Sequence, residues 1–167
     1  MNSKRQTLLL AAAAVTIFNF QSCSKYEDND GLSLKSKTGR LTGDWEVVKI
    51  NGQNPETYLS NQLLGGYTGS SYYSFSIDNL KMEWEFEKDG DFEQAINGDI
   101  SLSFYGSSIS YPLNYSFDGE WEWEDNKETI EVEVSGSSEE FEIKKLTNSE
   151  LKIEDENGVE YEFEKNS

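Results

Sequence analysis

The chain has 167 residues, with 32 Asp and Glu against 14 Lys and Arg, for a formal charge of −18. That balance argues against nucleic-acid binding, because phosphate backbones are held by clustered Lys and Arg. There is no His and only one Cys, which removes the usual general base, any Ser-His or Cys-His dyad, an internal disulfide and a thiolate zinc site. Neither catalysis nor a cofactor nor a resident metal is therefore expected. Aromatic residues make up 13% of the chain; disordered segments are poor in them, so one compact domain is expected.

Residues 1–22 read as a signal peptide. Lys4 and Arg5 form a basic start, and Leu8 to Phe18 an apolar run broken by Thr16, too short for a membrane span of ~20 residues. The run ends in Phe20-Gln21-Ser22-Cys23, with the only Cys at the point where cleavage is expected. This resembles a bacterial lipoprotein lipobox in its looser form. The resemblance implies cleavage before Cys23, lipidation of that residue and attachment to a membrane through the lipid. Removal of Lys4 and Arg5 would leave 12 basic against 32 acidic residues. The acidic stretch Ser24-Lys25-Tyr26-Glu27-Asp28-Asn29-Asp30-Gly31 is similar to the surface-export signal of lipoproteins in Bacteroidetes-type bacteria, implying the outer membrane and exposure at the cell surface. Residues 23–40 read as a lipidated acidic tether.

Strands follow. Apolar and polar residues alternate in Met82, Trp84 and Phe86 against Glu83, Glu85 and Glu87, and in Trp121 and Trp123 against Glu120, Glu122 and Glu124. Alternation returns in Ile130, Val132 and Val134, in Phe141 and Ile143, and in Val159, Tyr161 and Phe163. Such repetition predicts antiparallel strands with one wet and one buried face. Strands are expected near 43–51, 80–88, 91–97, 99–105, 110–124, 128–134, 139–146, 150–155 and 158–165. Turns are expected between them, including one at Asn97-Gly98-Asp99, and a bend or division at Asp118-Gly119. Pro55 to Leu64 is the exception: Asn54 can cap, Pro55 can open and Gly65-Gly66 can stop a short helix over 55–64. The fold class is all-β, an antiparallel up-and-down meander barrel of eight or nine strands, with a two-sheet sandwich as the alternative.

Leu41-Thr42-Gly43-Asp44-Trp45 has the Gly-x-Trp opening of a lipocalin first strand, and the tail from Lys145 to Ile153 and from Asn157 to Phe163 is similar to the closing strands of lipocalin-like domains in Bacteroidetes lipoproteins. The resemblance covers about 41–165 and marks Gly43 and Trp45 as structural motif residues. The central Thr-Asp-Tyr-type motif and the late Arg that stacks on the Trp in lipocalins proper are absent; Lys165 is the nearest late cation. The implied function is that of a cell-envelope lipoprotein binding a small apolar or amphipathic ligand. The alternative is a packed barrel acting as a non-enzymatic interaction module on a protein or glycan partner.

Gly65 to Ser74 mixes Tyr, Ser and Gly, as binding loops do, so residues 65–75 are read as a mouth loop with Tyr67, Tyr72 and Tyr73 touching ligand. The competing reading is that Tyr73, Phe75 and Ile77 begin another strand. Trp84 and Trp121, among the bulky inward residues with Trp45, Trp123, Phe86, Phe104, Phe117, Phe141 and Phe163, are further ligand-contact candidates. Asp89, Asp91, Asp155 and Glu156 sit at hairpin tips, where a turn role outweighs weak calcium binding.

Overall fold

The computed structural model describes residues 35–63, 65–68, 71–125 and 127–166. The expected signal peptide over 1–22, Cys23 and residues 24–34 lie outside them. The elements are α1 (Lys37–Leu41), β1 (Gly43–Ile50), α2 (Pro55–Gln62), β2 (Gly66–Thr68), β3 (Ser71–Phe86), β4 (Asp91–Phe104), β5 (Ser107–Glu124), β6 (Thr129–Val134), β7 (Ser137–Leu146), β8 (Glu150–Asp155) and β9 (Glu160–Lys165).

Every neighbouring pair is antiparallel, and β1 pairs with both β9 and β3. Eight strands thus close into an up-and-down barrel, with β2 added outside on β3. The architecture is compatible with a lipocalin-like fold. Alternation carries the core: Trp45, Val47, Met82, Trp84, Phe86, Phe92, Trp121, Phe141 and Phe163 are all buried. The glutamates between them point outward, as in Glu120 opposite Glu133 and Glu122 opposite Glu131.

Hairpin chemistry is local. Tyr105-Gly106 and Ser135-Gly136 each have positive φ at both residues and connect directly paired strand ends. Two left-handed residues are what a type I′ turn requires. Asn54 caps α2 by accepting from the Glu56 and Thr57 amides, with Pro55 at the first turn. Helix α2 then spans the length of β3 that neither β1 nor β2 pairs: Ser60 Oγ accepts from the Ile77 amide and Glu56 Oε1 from the Leu80 amide, each at 2.9 Å. Without these acceptors both amides would be unpaired donors.

Helix α1 lies where the tether was expected to end. Ser36 caps it, Leu41 is fully buried, and the Leu41 carbonyl accepts from Trp45 Nε1 at 2.6 Å. Trp123 Nε1 donates to Thr38 Oγ1 at 3.0 Å, and Lys37 pairs with Glu128 at 2.6 Å. This helix closes the end of the barrel at which the described chain enters.

The structure corrects several strand boundaries. Asn97-Gly98-Asp99 is no turn; β4 runs unbroken from Asp91 to Phe104. Gly98 faces a bulge in β3, where the register shifts between Asp78 and Lys81. A Cβ there would lie 3.2 Å from both the Asp78 carbonyl oxygen and Leu80 Cα. The glycine serves a close approach instead of a reversal. Strand β5 likewise does not divide at Asp118-Gly119. Strand β3 begins at Ser71, and residues 66–68 pair with 71–73 as β2 against β3, so these residues are strand where a mouth loop is expected.

These longer strands extend beyond the barrel. Strand β6 pairs with β5 only up to Gly119, and β1 pairs with β3 only from Glu83 onward. Past those points β2, β3, β4 and β5 continue as a four-stranded arm. Phe104 and Phe117, expected inside the barrel, lie on this arm and are 36% and 37% exposed.

Candidate functional site

Antiparallel connectivity gives the barrel two distinct ends. Helix α1 and the β3–β4, β5–β6 and β7–β8 connections close one; the β6–β7 and β8–β9 turns and the base of the arm surround the other. The lower interior is filled with rings. Trp84 has Phe92, Phe141 and Phe163 within 5.1–5.5 Å, centroid to centroid, and Phe86 packs edge-on against Trp121 at 5.7 Å.

At the arm end this packing leaves a half-open cup of about 420 Å³. Its floor is aromatic, from Trp84, Phe92 and Phe141, with Val132 and Val134 beside them. Its polar wall is Gln94, Ser137, Ser138, Glu139 and Glu156. Register explains the wall. Gln94 is the cross-strand partner of Trp84, Glu139 of Val132 and Ser137 of Val134, so all three share the inward face. Glu139 is thus an exception to the outward glutamates.

Burial, reinforced by the charges of Asp155 and Glu156, raises the Glu139 pKa above the ordinary carboxylate value. Asp155 is itself buried, its Oδ1 accepting from the Asn157 and Val159 amides at 2.8 Å each. It thereby shapes the β8–β9 turn. Tyr161, 5.9 Å from Trp84, has its phenol pushed up to about 12 by burial first and then by Asp155 and Glu139. No described side chain with hydrogen-bonding geometry meets Trp84 Nε1, which is buried.

The five ligand-contact candidates do not converge. Tyr67 and Tyr72 are cross-strand partners with rings 5.2 Å apart, 75% and 55% exposed on the arm. Tyr73, the next residue along β3, points to the opposite face. Trp84 lines the cup, whereas Trp121 sits toward the closed end, donating from Nε1 to the Glu87 carbonyl at 2.8 Å. The acidic hairpin tips also separate, Asp89 and Asp91 at the closed end and Asp155 and Glu156 at the cup. The carboxylates of Glu122, Glu124 and Glu131 do lie within 4.8 Å of one another, on the outer wall.

Sequence reasoning missed Gln94, Ser137, Ser138 and Glu139. Counting back by two from Phe141 would have found Glu139 and Ser137 on its face. No family model matches the chain, and no curated protein matches it. The site therefore rests on its geometry.

At the motif end, Lys165 Nζ stands 4.6 Å from the Trp45 ring centroid and donates to the Arg40 and Thr42 carbonyls at 2.8 and 2.6 Å. Burial holds its pKa below the usual lysine value. A Cβ on Gly43 would come within 2.9 Å of Lys165 Cε, and Gly43 has φ +120°.

Proposed function

We propose that the chain is a lipid-anchored cell-envelope lipoprotein whose barrel binds one small neutral or cationic amphipathic ligand in the cup. The observation that carries the ligand reading is the cup itself: about 420 Å³ at the arm end of an otherwise filled barrel, within the size range of small-molecule sites. Its aromatic floor suits an apolar body and also attracts an organic cation. Glu139, Glu156 and the adjacent Asp155 disfavour an anionic head group, which would meet three acidic side chains. The anchor reading is supported by Cys23 at the end of the apolar run. The lipocalin-like resemblance is supported by Lys165 over Trp45, a cation in the place of the stacking Arg.

Two experiments test the parts separately. Intact-mass measurement of the chain produced with its own leader should show loss of residues 1–22 and added acyl mass, both absent in Cys23→Ser. For the cup, native mass spectrometry should show one long-chain amine or monoacylglycerol bound per chain and no long-chain fatty acid. Phe141→Trp, which fills the cup, should remove that binding. Equal uptake of fatty acid and amine would overturn the assignment.

A further inference from the structure

The arm is chemically unlike the rest of the molecule. In a chain with 28% charged residues, 57–77 and 100–117 contain none. Its two faces differ. Cross-strand partners share a face, so Phe75, Leu102 and Ile109 lie in one row and Ile77, Ile100 and Tyr111 in the next. This apolar face continues the barrel interior. The other face is lined with serines, hydrogen-bonded in Ser101–Ser110 and Ser103–Ser108 across β4 and β5. Helix α2 meets the base of the arm at Ile77 and Leu80.

We propose that the apolar face of the arm is a dimerisation surface, packed face to face against the same face of a second copy of this chain. Three observations select that occupant. The first is area. Phe104, Ile109, Tyr111, Tyr115 and Phe117 leave between 36% and 58% of their surfaces in water. At ~200 Å² per large side chain this is roughly 500 Å², more than half of the ~800 Å² that each partner contributes to a standard interface. A patch of this size is at the level of the largest single patch on a protein surface, which is often an interaction site.

The second is charge. The barrel wall carries like-charged pairs such as Glu120–Glu133 and Glu122–Glu131, so two copies repel each other across it. The arm lets them meet without opposing charges. A partner attracted to this protein by its acidity would bind the wall instead.

The third is geometry. A sheet with one apolar and one polar face is half of a β-sandwich, whose second layer packs ~10 Å away. A two-fold axis supplies that layer from the same surface. Edge-to-edge pairing along β5 is disfavoured by Pro112, which offers no N–H to an added strand. The arm also projects from the end opposite to α1, where the described chain enters.

Sedimentation equilibrium of the chain from Ser24 onward, which contains the whole closed barrel, tests the proposal. Wild type should sediment as a dimer at micromolar concentration, more tightly as salt screens the walls. Tyr111→Asp with Tyr115→Asp should weaken the dimer roughly 100-fold, the loss expected of central interface anchors. Its circular dichroism should be unchanged, because both rings lie outside the core. Ser101→Asp with Ser110→Asp, on the other face, should leave the dimer intact. A wild-type chain monomeric up to roughly 100 μM, far above the Kd of a stable interface, overturns the proposal. So does flotation of the monomer with neutral phosphatidylcholine vesicles, which would make the face lipid-binding. Monomer with cup binding retained would fail this proposal and spare the ligand reading.

Discussion

Lys165 and Trp45, 120 residues apart in the chain, are cross-strand partners on β9 and β1, with the ammonium 4.6 Å from the indole centroid. The same ammonium donates to the Arg40 and Thr42 carbonyls at the C-terminal end of α1, so one side chain fastens the last strand, the first strand and the helix that closes the barrel. Lys165→Met keeps the stem but loses the cation–π contact and leaves two carbonyls short of a donor. We expect a loss of about 2–3 kcal/mol, read from urea midpoints at unchanged slope. Gly43→Ala should cost about 1–3 kcal/mol through its positive φ and the approach of Lys165 Cε. In the double variant the two losses should add to less than their sum, because both act on one contact.

Gly119 lies where the arm leaves the barrel. A Cβ there would meet the Glu133 carbonyl oxygen at 2.1 Å and Val134 Cγ2 at 3.0 Å. A carbonyl within a paired strand cannot give way as a flexible side-chain tip can. Gly119→Ala should therefore destabilise the fold at the upper end of the overpacking range, about 3 kcal/mol. Gly98→Ala, with its nearest neighbours at 3.2 Å, should cost less. Thermal unfolding of the two variants side by side checks the order.

The outer wall makes a salt-dependent prediction. Glu122 is opposite Glu131, and their carboxylates cluster with that of Glu124. Facing like charges destabilise a sheet, while opposite charges contribute roughly 0.2–1 kcal/mol. Glu122→Lys should stabilise the barrel by an amount in that range. The gain should shrink toward 1 M salt, where the Debye length falls to ~3 Å. A gain that salt leaves unchanged would show that repulsion is not its source.

Legibility in the sequence followed patterning. Where Glu alternates with Trp, Phe, Ile or Val, as in 82–87 or 120–124, period two states both strand and face, and the closed barrel follows from the chain of hairpins. The misreadings were at glycines. Gly98 and Gly119 look like turn residues beside Asp, but they serve close backbone approaches that appear only when a second strand is in place. The arm was hidden because serine replaced glutamate as the polar partner of its apolar residues. The signal available was absence of charge over 57–77 and 100–117. The cup escaped notice because Glu139, Glu140 and Glu142 look alike in composition, while only the first shares the parity of Phe141 and lies opposite Val132.

That inward position gives Glu139 a measurable pH signature. Burial first, and then Asp155 and Glu156, raise its pKa from the ordinary 4.5, so the folded chain holds this proton more tightly than the unfolded chain. Between 4.5 and the raised value the native state binds more protons, and stability falls as pH rises. Above the raised value the penalty is complete and constant; below 4.5 both states are protonated and it vanishes. Glu139→Gln keeps the shape and removes the charge. The variant should have a higher urea midpoint than wild type at about pH 7 and a closely similar one below about pH 4. The same substitution should weaken binding of a long-chain amine in the cup more than binding of a monoacylglycerol, because only the amine uses the carboxylate. Equal weakening of both ligands would place Glu139 in the shape of the cup and take the cation preference away from it.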